Sequence, residues 1–208
     1  MNIKATYKAD RAEIVWSDEE IEAFVKGAPE HVSRIVIAAT ETGFRPGDLH
    51  ILSAFHVQKT SEGRRIVIRT SKRKRIAAVP VTDRMAELLD AQKAERILTT
   101  SQGQPWGNKN YLGDAVSTWR DRLELRTELR LQDCRGTAAT RWLNHGLELR
   151  EIATIMGWSI KHASEVIERY VALHPSMTDG VLRRIRENDA ATKAVKSAVK
   201  TPTLHKGK

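Results

Sequence analysis

Apolar residues recur with a helical period near the start of the chain. Ser17 and Glu20 lie three residues apart just before an apolar run, which is the spacing of a capping box. A second periodic run covers residues 32–41 and is followed by Gly43, a residue type that commonly ends helices. The pattern therefore predicts two helices between residue 17 and residue 43.

The middle of the chain changes to short runs that are rich in β-branched residues. These runs cover residues 54–57, 64–69 and 75–79, and polar turns at 61–63 and 71–74 separate them. Such spacing is typical of consecutive antiparallel strands. We therefore expect a small three-stranded antiparallel sheet.

Helical periodicity returns after Pro80, where Thr82 is a good helix cap. The first of these helices runs through Leu89, and Gly146 and Gly157 fall at two later breaks. The further helices are predicted near 109–123, 133–144, 148–156, 161–173 and 176–187. The expected fold class is α+β, mainly α, with one small sheet.

The pattern also divides the chain into three parts. Residues 1–15 are polar and basic, as in a linker or arm, and residues 16–188 have the periodicity of one folded domain. Residues 189–208 hold five lysines against Asp189 and almost no large apolar side chains, so we expect a basic, disordered tail.

Charge and composition narrow the class of partner. The 208 residues include 35 Lys and Arg against 26 Asp and Glu, a net charge of +9, which suits a polyanion such as nucleic acid. The one cysteine, Cys134, excludes an internal disulfide and most cysteine-based zinc sites, and it favours a reducing, cytoplasmic setting. No apolar run has the roughly 18 residues of a membrane span.

Two basic positions in the first half have the chemistry of phosphate recognition. Arg45 lies in Thr42-Gly-Phe-Arg-Pro-Gly-Asp-Leu49, and its planar fork of donors can grip a phosphate. Lys72 opens the basic turn 71–75, from which a lysine can reach into a groove. Each position by itself is also consistent with an ordinary structural role. Arg45 fits a solvated arginine in a surface turn, and Lys72 fits a lysine that keeps the edge of a sheet soluble.

Two further places lie in the second half. Gln132 and Arg135 are three residues apart at a helix start, where free N–H groups and the helix dipole favour an anion. Trp158 follows at the break between the predicted helices 148–156 and 161–173, and Tyr170 lies in the second of these helices. The alternative for Arg135 is an ordinary surface arginine, and the alternative for Trp158 and Tyr170 is packing in or at the rim of the core. Residues 147–170 are also consistent with a helix-turn-helix regulator.

Taken in order, the four motifs resemble the tyrosine recombinase family, which includes phage integrases and their relatives on bacterial mobile elements. The resemblance covers roughly residues 16–187, and five of six active-site positions match in order. It implies the catalytic domain of that family, with these site residues: Arg45 and Arg135 as the two arginines, Lys72 as the hairpin lysine, Gln132 in the usual histidine place, Trp158 in the His/Trp place and Tyr170 as the nucleophile. Lys74 is the competing choice for the lysine.

The resemblance also implies the reaction and its partners. The tyrosine attacks a DNA phosphodiester, a 3′-phosphotyrosine link stores the bond energy, and the lysine protonates the leaving 5′ oxygen without a metal or cofactor. The implied function is site-specific strand exchange during integration or excision of a mobile element. Double-stranded DNA is the expected partner, with a homotetramer on DNA, a monomer when isolated and a cytoplasmic location.

The sequence departs from the family pattern at two positions. Gln132 cannot take up a proton near neutral pH, so weakened cleavage is expected. Twelve positions separate Trp158 from Tyr170 where about nine are commoner, a difference of nearly one helical turn. With only about fifteen residues before Trp16, a fragment of a longer or naturally shortened protein is expected. A catalytically impaired DNA-binding protein with the same fold is the alternative function.

Overall fold

The computed structural model describes residues 11, 14–92, 94–170, 185–186 and 188–190, with the backbone alone at Arg169 and Tyr170. The chain divides into one compact unit over Met1–Tyr170 and a second over Val171–Lys208. In the second unit, residues 185–186 and 188–190 are helical. Most of the predicted helix 176–187 and of the predicted tail 189–208 lies outside the described residues.

The first unit is mainly helical with one small sheet, as the sequence predicted. Its helices are α1 (Asp18–Gly27), α2 (Glu30–Thr42), α3 (Pro46–Ile51), α4 (Asp83–Asp90), α5 (Lys109–Arg122), α6 (Cys134–Asn144), α7 (Leu149–Met156) and α8 (Ile160–Tyr170). Its strands are β1 (Val57–Thr60), β2 (Gly63–Arg69) and β3 (Ile76–Pro80). No helix of the described residues is long and apolar enough to cross a membrane.

Local capping explains where several helices begin and end. The backbone N–H of Glu20 donates to the Ser17 hydroxyl at 3.2 Å, and that of Ser17 donates to the Glu20 carboxylate at 2.8 Å. The predicted capping box of α1 is therefore confirmed. Gly43 ends α2 in the left-handed conformation at φ 64°, and Thr82 caps α4, both as predicted.

The three strands pair antiparallel in the order β1-β2-β3. In this register Ile66 lies opposite both Val57 and Val79, and Ile68 lies opposite Ala77. The Ile66, Ile68, Ala77 and Val79 side chains are all buried on one face of the sheet. Buried and exposed residues alternate in β2, as expected for a strand with one face on the core.

Two local predictions were wrong. The first strand was expected over 54–57, but Ala54–His56 forms a 3-10 turn and the strand begins at Val57. The reason is a local hydrogen bond, because the backbone N–H of Ser53 donates to His56 Nδ1 at 3.1 Å. Residues 46–51, read as part of a turn, form α3, with Pro46 preset for the first helical position.

Helix α2 runs through the core of the first unit. It packs against α1, α4, α5 and α6, and its Ile35, Val36, Ala38 and Ala39 side chains are fully buried. Helix α7 packs on β3, where Gly157 comes close to Ala77. This packing brings the end of α2, the start of α3, the β2–β3 turn, the start of α6 and the end of α7 to one place.

Candidate active site

Arg45 is held at the start of α3 with unused hydrogen-bonding capacity. It is the N-cap residue of that helix, two positions after the left-handed Gly43. Burial lowers the pKa of its guanidinium, the Asp48 carboxylate raises it and the charge of Arg73 lowers it. Its Nη1 atom is buried and finds no hydrogen-bond partner among the described residues. Arg45 therefore keeps a guanidinium donor that no described residue satisfies.

Asp48 fastens the β2–β3 turn to α3. This carboxylate is fully buried, and its Oδ1 atom accepts a 2.6 Å hydrogen bond from the backbone N–H of Ser71. Gly47 allows the close approach, since a Cβ there would lie 2.9 Å from Ser71 Oγ. The backbone N–H of Lys74 donates to Thr70 O at 3.0 Å and closes the turn. The contact places the basic turn beside Arg45.

The basic turn brings Arg73 near the other arginines. Lys72 and Arg73 are both exposed. The charge of Arg73 lowers the pKa of both Arg45 and His162, so its guanidinium lies within electrostatic range of both. Arg73 could not be singled out from the sequence, because a run of four basic residues does not show which of them acts at the site. The role of Lys72 stays a prediction.

Arg135 joins three segments of the chain. From the first turn of α6, its guanidinium donates to the backbone oxygen of Gly43 and, at 2.7 Å, to that of Met156. It also lies over the ring of Trp158, with its Cζ atom 4.9 Å from the ring centroid. Arg45, Arg135 and Trp158, selected from separate parts of the sequence, therefore meet at one site.

His162 is a second residue that sequence reasoning missed. Its imidazole packs edge-on against Trp158, with 5.3 Å between the ring centroids. Burial lowers its pKa, the charges of Arg73, Arg135 and Arg45 lower it further, and only Glu165 raises it. The available signal was its position four residues after Trp158, in the first turn of the next helix.

Gln132 and Tyr170 complete the predicted set. Gln132 is exposed in the 3-10 turn Leu131–Asp133 that leads into α6, three residues before Arg135. No described residue hydrogen-bonds to its side chain in the contacts that the structure gives. Tyr170 is the last residue of α8, and its side chain lies outside the described part of the chain, so its role as nucleophile stays a prediction.

The assembled site is strongly cationic. The positive charges of Arg45, Arg73 and Arg135 all act on His162, which packs against Trp158, and the nearby Asp48 carboxylate accepts a hydrogen bond from the backbone N–H of Ser71. Charge-assisted donors in a forked arrangement suit a phosphodiester and the further charge on its transition state. Among the described residues no group of three or more His, Cys, Asp or Glu side chains could hold a metal ion.

Comparison with known proteins agrees with this geometry. A model described as the phage integrase family matches residues 17–177, and the chain belongs to that family. A lambda integrase dimer bound to a COC′ core site matches with a TM-score of 0.63 at 14% identity, over 77% of this chain and 51% of that chain. XerA recombinase matches with a TM-score of 0.59 at 19% identity, over 83% of this chain and 64% of that chain.

The part of these proteins that the chain resembles is a catalytic core. The structure of the lambda integrase catalytic core matches with a TM-score of 0.58 at 14% identity, over 69% of this chain and 90% of that chain. At these identities the likeness is one of fold. The chain spans 51% of the lambda integrase chain and 64% of the XerA chain. No curated protein sequence gives a significant match.

Proposed function

We propose that this protein is a site-specific recombinase that cleaves and rejoins DNA strands through a 3′-phosphotyrosine intermediate. The observation that carries the proposal is the meeting of Arg45, Arg135 and Trp158, with the basic turn fastened alongside by Asp48. The family match and the fold support it. A tyrosine-type DNA strand transferase needs this combination of fixed positive charge and an attacking hydroxyl.

The proposed roles follow from how each side chain is held. Arg45 and Arg135 bind the non-bridging oxygens of the scissile phosphate, and Trp158 packs against the second of them. Tyr170 attacks the phosphorus, so its oxygen bonds to phosphorus as the bond to the 5′ oxygen breaks. Lys72 donates the proton that the 5′ oxygen takes up. Rejoining reverses these steps and needs no cofactor.

The proposed partners are those of a recombinase acting on a mobile element. Double-stranded DNA is the substrate, and the basic turn and the site arginines favour its phosphates. Lambda integrase has been solved as a tetramer bound to a Holliday junction. We extend a homotetramer on DNA to this protein, with a monomer when isolated and a cytoplasmic location, as predictions.

Covalent trapping tests the proposed function without knowledge of the target sequence. The protein is incubated with a pool of nicked duplexes of randomised sequence, in which cleavage beside the nick releases a short fragment and traps the enzyme. The expected result is an adduct that survives SDS. Tyr170→Phe should abolish it, because the nucleophilic oxygen is removed.

Tyr111→Phe is the matched control, since Tyr111 is an exposed tyrosine on α5 and should leave adduct formation unchanged. An adduct that persists in Tyr170→Phe would contradict the assignment of the nucleophile. Salt-sensitive DNA binding with no adduct in any variant would contradict the enzyme and favour the non-catalytic DNA-binding alternative.

A further inference from the structure

The start of helix α6 determines where Arg135 lies, because Arg135 belongs to the first turn of that helix. An aspartate at the cap of a helix commonly fixes the first turn by accepting a hydrogen bond from it. Asp133 is the N-cap residue of α6, yet its carboxylate makes no such bond within the helix. The position of the first turn is therefore set by contacts with other parts of the chain.

The carboxylate of Asp133 is bound by Arg11, which lies 122 positions earlier in the chain. Its Oδ1 atom accepts from Arg11 Nε at 3.1 Å, and its Oδ2 atom accepts from Arg11 Nη2 at 2.6 Å. These two parallel bonds are the forked geometry of a strong arginine–carboxylate pair. The Asp133 side chain is only 3% exposed, and within the described part of the chain no other cation forms an ion pair with it.

Residues 11 and 14–16, which we call the arm segment, make further contacts around the same turn. The backbone N–H of Trp16 donates to the Thr137 hydroxyl at 2.9 Å, and Trp16 Nε1 donates to the backbone oxygen of Arg130 at 3.1 Å. Trp16 is itself buried, so these contacts are sheltered from water. The arm segment therefore contacts the chain before the start of α6, at its cap and within the helix.

Loss of the Arg11 contact would leave the Asp133 carboxylate buried without a counter-charge. A buried unpaired charge is costly, so the start of α6 is expected to rearrange until the carboxylate reaches water. Arg135 follows two positions later, and the far end of its side chain donates to the backbone oxygens of Gly43 and Met156. A shift at the near end would displace the guanidinium from that arrangement.

We propose, on the basis of the proposed function, that Arg11 is a positioning residue for DNA cleavage. By binding Asp133 it holds the start of α6, and it thereby places Arg135 against the scissile phosphate. Arg11 itself touches no reacting atom. Cleavage then depends on whether the arm segment is docked, whereas the electrostatic attraction between the protein and DNA does not.

The first test separates the rate of cleavage from DNA binding. The substrate is a nicked duplex recovered from the adducts of the unaltered protein, at trace concentration with the protein in saturating excess. At saturation the rate constant depends neither on affinity nor on the folded fraction of the protein. Arg11→Met should lower it by about 10²-fold, a loss that a displacement of about 1 Å can cause. The salt dependence of DNA binding should stay the same.

The matched control is Arg84→Met, since Arg84 forms an ion pair of 2.7 Å with Glu22 that joins α4 to α1. It should leave the rate constant unchanged. Arg11→Lys keeps the charge but cannot make both bonds of the fork, so it should restore part of the rate. Asp133→Asn should reproduce the loss seen in Arg11→Met. In the double variant the two losses should not add, because both substitutions remove the same contact.

The position of Arg135 can also be measured in the free protein. Its guanidinium lies over the Trp158 ring, whose ring current makes the side-chain N–H resonance of Arg135 sensitive to displacement. Heteronuclear NMR gives this resonance, which is assigned by its loss in Arg135→Met. Arg11→Met should shift it, and Arg84→Met should not. An unmoved resonance in Arg11→Met would refute the positioning role.

The outcomes separate this proposal from the proposed function. If the unaltered protein forms no adduct, the recombinase activity is refuted and the role of Arg11 falls with it. If it forms an adduct and Arg11→Met cleaves at the same saturated rate, only the role of Arg11 is refuted. A loss of rate that Arg84→Met reproduces would also refute it. A salt slope lowered by about 0.9 with an unchanged rate would make Arg11 a phosphate contact instead.

Discussion

Arg45 and Arg135 are expected to bind the same phosphate, yet they are held in opposite ways, and this predicts opposite effects on stability. Arg135 donates to two backbone oxygens that end helices and lies over Trp158. Arg45 is partly buried with a donor that no described residue accepts. Replacing each in turn by methionine keeps an unbranched side chain and removes the charge. Only Arg135→Met should destabilise the free protein substantially.

The magnitudes follow from the contacts of each side chain. Hydrogen bonds to a charged group contribute about 1.5–3 kcal/mol each, and a cation over an aromatic ring adds about 0.5–1 kcal/mol. Solvent replaces part of this at a half-buried side chain, so we expect Arg135→Met to lower the free energy of unfolding by about 3 kcal/mol. In the unaltered protein, the unpaired donor of Arg45 lowers the free energy of unfolding by about 1–3 kcal/mol. Arg45→Met removes this penalty together with the attraction to Asp48, so the free energy of unfolding should change by less than about 1 kcal/mol.

Equilibrium urea unfolding followed by circular dichroism at neutral pH measures both changes. At about 2–4 °C per kcal/mol, Arg135→Met should lower the melting temperature by roughly 6–12 °C and Arg45→Met by less than about 4 °C. Both variants should lose adduct formation on the nicked duplex pool. Equal destabilisation by the two substitutions would refute the reasoning, because it would show that Arg45 makes structural bonds equivalent to those of Arg135.

Three other predictions follow from the described contacts. Gly157→Ala should destabilise the fold by about 1–2 kcal/mol in urea unfolding, because φ is +60° there; no change would show that the backbone relaxes. NMR titration should give His162 a pKa below the 6.5 of an unperturbed histidine. The neutral imidazole then contributes stability that is full above pH 6.5 and is lost as the pH falls through the lowered pKa, and His162→Gln should remove this dependence. Arg73→Gln should reduce the salt dependence of DNA binding by about 0.9 in slope. Lys59→Gln, on the edge strand β1, should not, and equal effects would contradict the placement of Arg73 at the site.

Local signals in the sequence predicted much of the secondary structure. The capping box of Ser17 and Glu20, the stop at Gly43 and the cap at Thr82 each depend on residues within one helical turn, so the sequence shows them directly. The β-branched run that became β2 is equally local. Of the predicted site residues, Arg135 and Trp158 are in contact, and the charges of Arg45 and Arg135 both act on His162. The two errors have local causes as well. The hydrogen bond from the Ser53 backbone N–H to His56 replaces the start of the expected first strand, and Pro46 begins helix α3 where a turn was expected.

Tertiary structure was needed to choose among residues of the same chemistry. Four consecutive basic residues make the β2–β3 turn, and the bond from Ser71 to Asp48, 23 positions away in sequence, fixes how that turn meets the site. The environment of His162 likewise comes from arginines on three other segments.

The sequence by itself therefore determined the fold class, the order of the motifs and the family resemblance, because helix caps, β-branched runs and residue type act over a few positions. Only the tertiary structure decided that the charge of Arg73 acts on Arg45 and His162, that Arg45 keeps an unpaired donor and that a histidine packs against Trp158. Those properties depend on which segments, far apart in the chain, lie close together in space, because burial and electrostatic interactions are set by spatial distance.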